Sequence, residues 1–286
     1  MNNTKETLSK KMEQLQNNTL TKIKDYTTNP EKYLQLIDFI HHCYNYSLHN
    51  RLLIYAQNPS AIAVGSFTKF KSLNYTVKKG EKGIKIMVPV TVTLFKDKNK
   101  LIKMSNATKL QKQQIKNGKI KTIQRTYFKL GTVFDITQTN MPIEKHQELY
   151  PENNTITDVN HNLEQIEQGI RKADPKLKTD SIVDNTNTCT TKTIISLVHK
   201  LIKTKMQNTS SLELSDQTKN LLIELTVYSI LKSLNIDTSE KTKLYIASWK
   251  NEDGQKISEL SGKKQSDILQ IIDDNSNWFI KTIANA

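Results

Sequence analysis

Between Ile84 and Phe95 the chain alternates with a period of two. Ile84, Ile86, Val88, Val90, Val92 and Leu94 fall on one side, and Lys85, Met87, Pro89, Thr91, Thr93 and Phe95 on the other. Successive side chains of a strand point to opposite faces, so this pattern predicts a β-strand with one solvated face. Pro89 has no N–H for a second neighbour, which places the strand at an edge or at a bulge. Lys79-Gly80-Glu81-Lys82-Gly83 precedes it as a turn, and a partner strand is predicted over Thr126 to Gln138, carrying Tyr127, Phe128, Val133, Phe134 and Ile136. The intervening Lys96 to Gln124 is rich in Lys, Asn and Gln with little apolar content, and is expected to be a flexible excursion of the hairpin.

Helical spacing surrounds this sheet. Residues 3–28 are polar with weak apolar recurrence at Leu8, Met12, Leu15, Leu20 and Ile23, and read as an exposed helix. Asn29-Pro30 starts a second helix, whose apolar face runs from Tyr33, Leu34, Ile37 and Ile40 through Tyr44 and Leu48 to Ile54, and which stops at Asn58-Pro59. Phe67 to Leu73 has room for a helical turn or two. Pro142, Pro151 and Asn153-Asn154 mark residues 141–160 as a linker. Further helices are predicted near Asn162 to Arg171, Thr191 to Met206, Ser215 to Leu234 and Ser261 to Thr282. The expected class is α+β: N-terminal helices with a small antiparallel sheet over residues 1–140, then a mostly helical domain over residues 161–286.

Charge adds a constraint on partners. The chain nets +14, and residues 66–129 hold 17 basic side chains against only Glu81 and Asp97. That window carries +15 and the rest of the chain −1. Part of the lysine excess is what an AT-rich coding sequence gives, but codon bias does not remove acids from the same window. A patch of this kind favours a polyanion, either nucleic acid or an acidic membrane face. No apolar run reaches the roughly 20 residues of a membrane span, and Met1 to Gln14 lacks a signal-peptide core, so a cytoplasmic protein with no membrane partner is expected. Cys43 and Cys189 are too few for a disulfide framework or a four-thiolate zinc site and read as reduced, buried thiols. His41, His42 and His49 have no partner carboxylate at metal spacing and read as packing or surface residues, while His146 and His161 flank the linker.

Two segments together suggest a family. Tyr46-Ser-Leu-His-Asn-Arg-Leu-Leu-Ile-Tyr-Ala-Gln-Asn-Pro-Ser-Ala61, with Gly65, Phe67, Phe70, Val77 to Ile84 and Pro89, resembles the N-terminal domain of ArdC-type antirestriction proteins, as does Val133-Phe-Asp-Ile-Thr-Gln-Thr139. The resemblance also takes in Tyr245 to Trp249 and leaves out Lys96 to Arg125 and the linker. Phe70 stands where the family usually has Trp, and Asn74-Tyr75 where a Gly-Arg pair is common. Such proteins are carried by conjugative plasmids and related mobile elements. The resemblance implies single-stranded DNA binding by the first domain and a zinc metallopeptidase-like fold for the second.

A groove for single strands needs ammoniums that track phosphates and rings that stack on bases. The candidates are Phe67, Phe70 and Tyr75 with Lys69, Lys71, Lys78, Lys79, Lys82 and Lys85; a core role for Phe67 and Phe70 is equally compatible. Asn50 and Arg51 lie on the preceding helix, within reach of the groove or in a capping or surface role.

In the second domain, His-Glu-x-x-His peptidases hold Zn²⁺ between two imidazoles one helical turn apart, with the Glu as base. The stretch that matches is Leu197-Val-His-Lys-Leu-Ile-Lys203: His199 keeps the first ligand position, Lys200 replaces the base, Lys203 replaces the second His, and Glu224 matches the carboxylate ligand. Two ammoniums about 4 Å from a divalent cation repel it by several kcal/mol even at an effective dielectric near 20. No metal, no cofactor and no peptidase activity are therefore expected, with Glu224 turned to pairing with Lys200 or Lys203. The sequence thus favours a non-enzymatic single-stranded DNA-binding protein, with antirestriction or an accessory role in DNA transfer or replication as the implied setting. The alternative is a factor that binds a host restriction or replication protein, with DNA binding incidental.

Overall fold

The structure, a computed structural model, describes residues 2–42, 45–98, 100–149, 163–177, 191–208 and 214–284. Cys43, Cys189, His161 and residues 150–160 of the expected linker lie outside them, as do the side chains of His41 and His42. Helices α1 (Asn2–Tyr26), α2 (Pro30–His42) and α3 (Leu48–Gln57) lead into β1 (Val64–Ser66) and α4 (Phe67–Ser72). The hairpin β2 (Ile84–Asp97), β3 (Lys100–Lys103), α5 (Lys109–Lys116) and β4 (Thr122–Asp135) follows, and then α6 (Leu163–Ala173), α7 (Thr191–Asn208), α8 (Asp216–Ser233), α9 (Ser239–Ser248) and α10 (Gly262–Ala284). The class is α+β with one antiparallel sheet in the order β1-β4-β2-β3. Among the described residues, no helix is long and apolar enough to cross a membrane.

The alternating run forms β2 and pairs with β4 without a break, from Ile84 opposite Val133 to Phe95 opposite Thr122. Pro89 does occupy an open edge, because β3 pairs only with Leu94 to Asp97. That edge is closed by side chains of α3. The Asn50 amide donates to Met87 O and accepts from Met87 N, both at 2.8 Å. Two turns away, Gln57 donates to Lys85 O at 2.8 Å and accepts from Lys85 N at 2.9 Å. Lys85, Met87 and Pro89 expose their backbone to the same side, and the third has no N–H to satisfy. Gly131 lies under Val88: a Cβ there would come within 2.4 Å of the Val88 Cγ2.

Several expectations are corrected. The long second helix is two, because Ser47 leaves the helical conformation (φ −56°, ψ 150°) and its side chain accepts from Asn50 N to start α3. The first helix is not simply exposed: α1 packs against α3 and α10, with Ile23 and Thr19 buried. The face of β2 predicted to be solvated buries Met87 and Phe95. The excursion expected to be flexible is folded. β3 pairs with the end of β2, a 3₁₀ turn at Met104–Asn106 packs on β2, and α5 begins in a capping box in which the Thr108 hydroxyl accepts from Gln111 N and Gln111 Oε1 accepts from Thr108 N. The partner strand starts at Thr122 and ends at Asp135 rather than spanning Thr126 to Gln138. Helix α9 was not anticipated.

The core does not divide where the chain was expected to. One cluster joins Leu36, Ile37, Leu52, Ile54, Ile84 and Val133 of the first half to Leu221, Leu225, Ile246, Trp249 and Leu269 of the second. Across it, Arg51 of α3 forms a buried bidentate pair with Asp273 of α10, its Nη1 donating to Asp273 Oδ1 at 2.9 Å and to Ile40 O at 2.6 Å, its Nη2 to Asp273 Oδ2. Tyr228 of α8 donates to Asp38 of α2 at 2.9 Å. A second cluster, among α6, α7, α8 and α10, belongs to the C-terminal half alone.

Candidate nucleic-acid interface and the His199–Glu224 pair

The root of the hairpin is built by the Val133 to Thr139 segment. Asp135 is fully buried, its Oδ1 accepting from Ile62 N (2.7 Å) and Ala63 N (3.1 Å), its Oδ2 from Thr137 N (3.1 Å). It thereby fixes the entry to β1 against the end of β4. Gln138 then holds the basic turn. Its Nε2 donates to Glu81 Oε2 and Lys82 O at 2.9 Å each, and its backbone oxygen accepts from Lys78 N at 2.9 Å. Lys78 Nζ also donates to Thr137 O at 3.0 Å. The turn thus presents Lys79 and Lys82 to solvent from a fixed backbone, beside a polar cleft of about 310 Å³ lined by Gln57, Asn58, Lys82 and Gln138.

The structure sorts the candidate residues. Phe67 is 54% exposed at the start of α4, with Lys71 exposed and Lys69 half-buried on the same helix. Lys78, Lys79, Lys82 and Lys85 are exposed, and Lys85 Nζ donates to Thr132 Oγ1 at 2.8 Å. Three candidates are corrected. Phe70 has no exposed surface, packs with Ile136, Met141 and Leu149, and offers no ring to a base. Arg51 is committed to Asp273, and Asn50 to the backbone of Met87. Tyr75 is half-buried against the Phe70 cluster.

Sequence reasoning passed over the distal half of the ribbon. Every residue from Thr122 to Lys129 is exposed, including Tyr127 (49%) and Phe128 (55%). The available signal was an adjacent aromatic pair between Arg125 and Lys129, which the sequence pattern places in the partner strand without assigning it a role.

In the C-terminal half, α7 and α8 bring His199 and Glu224 together, Nε2 to Oε1 at 2.9 Å, with Lys241 of α9 at 4.0 Å from Oε2. The partners seen at Glu224 are thus His199 and Lys241, rather than Lys200 or Lys203. The hydrogen bond from His199 holds the Glu224 carboxyl below its ordinary range, against the opposing effect of burial. Lys203 occupies the i+4 position and is exposed. Among the described residues, no group of three His, Cys, Asp or Glu side chains converges to hold a metal.

Residues 1–134 match the family model for the N-terminal domain of anti-restriction factor ArdC. The Bacillus anthracis protein pXO2-81 is 33% identical over an alignment of 316 residues that takes in 98% of this chain and 52% of that protein. The chain therefore spans about half the length of this curated relative. A metal-free crystal structure of the antirestriction ArdC protein from the R388 plasmid is similar at 14% identity and a TM-score of 0.35, over 79% of this chain and 84% of that one.

Proposed function

We propose that this chain is a single-stranded DNA-binding protein of a mobile element, serving antirestriction or DNA transfer and replication, with a C-terminal half that carries no peptidase chemistry. The observation that supports it most is that the stretch matching the ArdC N-terminal family model contains the +15 window, whose lysines include those of the turn held by Gln138. The relative pXO2-81, of a plasmid, supports the mobile-element setting.

Fluorescence anisotropy on a labelled single-stranded oligonucleotide tests the reading. Binding is expected at low salt and weakens as salt rises, with a log–log slope of about −0.7 for each phosphate neutralised. The triple variant Lys78→Glu/Lys79→Glu/Lys82→Glu is expected to lose DNA binding and biological protection together. Protection that survives the loss of binding would favour a host restriction or replication protein as the target. For the C-terminal half, a Lys at position 200 supplies no carboxylate base and two of three ligand positions remain, so protein purified without chelator is expected to carry no stoichiometric zinc by elemental analysis; one zinc per chain would reverse that part of the proposal.

A further inference from the structure

The first half of β4 is poorly explained by folding alone. β4 is exposed at every position from Thr122 to Lys129, so neither face of this stretch meets the core. A strand of that kind needs no large rings for burial, yet it places Tyr127 and Phe128 in succession, one on each face, with about half of each ring in water. Their cross-strand partners are Val90 and Pro89. Arg125 and Lys129 flank Tyr127 on its own face at about 7 Å spacing along the strand. From Val88 to Lys129 there are 11 basic residues and one acid, Asp97, which is itself engaged by Gln111 Nε2 at 3.0 Å.

We propose that this distal ribbon is a grip for single-stranded nucleic acid, separate from the basic turn at the root: Tyr127 and Phe128 stack on bases, and Arg125 and Lys129 hold the phosphates on either side. The inference rests on the single-stranded DNA reading above. Charge selects a polyanion over a protein partner, and the rings select its form. A two-stranded ribbon also fits the major groove of a duplex, but there bases are read by polar side chains at their edges, while exposed rings find π-faces only on an unpaired strand.

The full chain is titrated with a fluorescein-labelled oligothymidine of about 20 nucleotides, a length that covers at least one typical binding site. Tyr127→Ala/Phe128→Ala is expected to weaken binding by about tenfold or more with the salt slope unchanged, because rings but no phosphate contacts are removed. Tyr127→Phe retains binding. Arg125→Gln/Lys129→Gln, which does not depend on the rings, is expected to flatten the slope by about 1.4. Wild-type affinity in both double variants overturns the grip. If the root variant Lys78→Glu/Lys79→Glu/Lys82→Glu abolishes binding while both ribbon variants keep it, the grip alone fails and the single-strand reading stands. If the wild-type chain ignores oligothymidine, or prefers a blunt duplex of equal length, that reading falls and the grip with it.

Discussion

Two phenylalanines three positions apart on one short helix have opposite fates. Phe67 and Phe70 are the same residue type in the same local pattern, and the sequence left their roles open. Packing separates them, because the ring of Phe70 points under β1 toward Leu149 and Ile136, so close that a Cβ on Gly65 would lie 3.1 Å from it. Phe70→Ala is therefore expected to cost about 3–5 kcal/mol in chemical denaturation, as a fully buried ring replaced by a cavity does. Phe67→Ala is expected to move stability by about 0.5 kcal/mol or less, as an exposed side chain does. Arg51 has the same lesson: its charge made it a candidate for phosphate, and only the arrival of Asp273 from 222 residues away reveals it as an internal pair.

At the scale of elements, β2 was legible because a period of two is a local signal that tertiary context has only to accept. The closure of its edge was not legible, since nothing in the spacing of Asn50 and Gln57 announces that they satisfy Met87 and Lys85. Asn50→Ala is expected to destabilise by about 1–3 kcal/mol by leaving both buried Met87 groups unpaired. Asn50→Asp should not rescue it, because a carboxylate accepts from Met87 N but faces Met87 O without a proton to donate; recovery of the wild-type midpoint in Asn50→Asp would refute this account. The excursion between β2 and β4 was misread for a related reason. Its Lys-, Asn- and Gln-rich composition hides a capping box of two residues, Thr108 and Gln111, and a short paired strand that depends on Leu94 and Phe95 for its partner.

For the whole molecule, the linker suggested two halves, but the hydrophobic core runs through both. The Arg51–Asp273 pair sits in that shared interior, where desolvation offsets much of the attraction and either ion alone is costly. Arg51→Met is expected to destabilise the chain by about 3–5 kcal/mol, and Asp273→Leu comparably, while the double substitution should be far less harmful than their sum. Additive losses in the double-mutant cycle would show the pair to be uncoupled. A single unfolding transition is also expected, because removing either half exposes the same apolar cluster. The sequence by itself determined the strand alternation, most of the helices, the helix start at Asn29-Pro30, and the concentration of positive charge in one window, because each is written in neighbouring residues. Only the tertiary structure decided which aromatics are spent on the core and which face water, where Arg51 and Asn50 are employed, and that His199 meets Glu224. Those outcomes depend on groups distant in the chain converging, and local periodicity carries no information about such meetings.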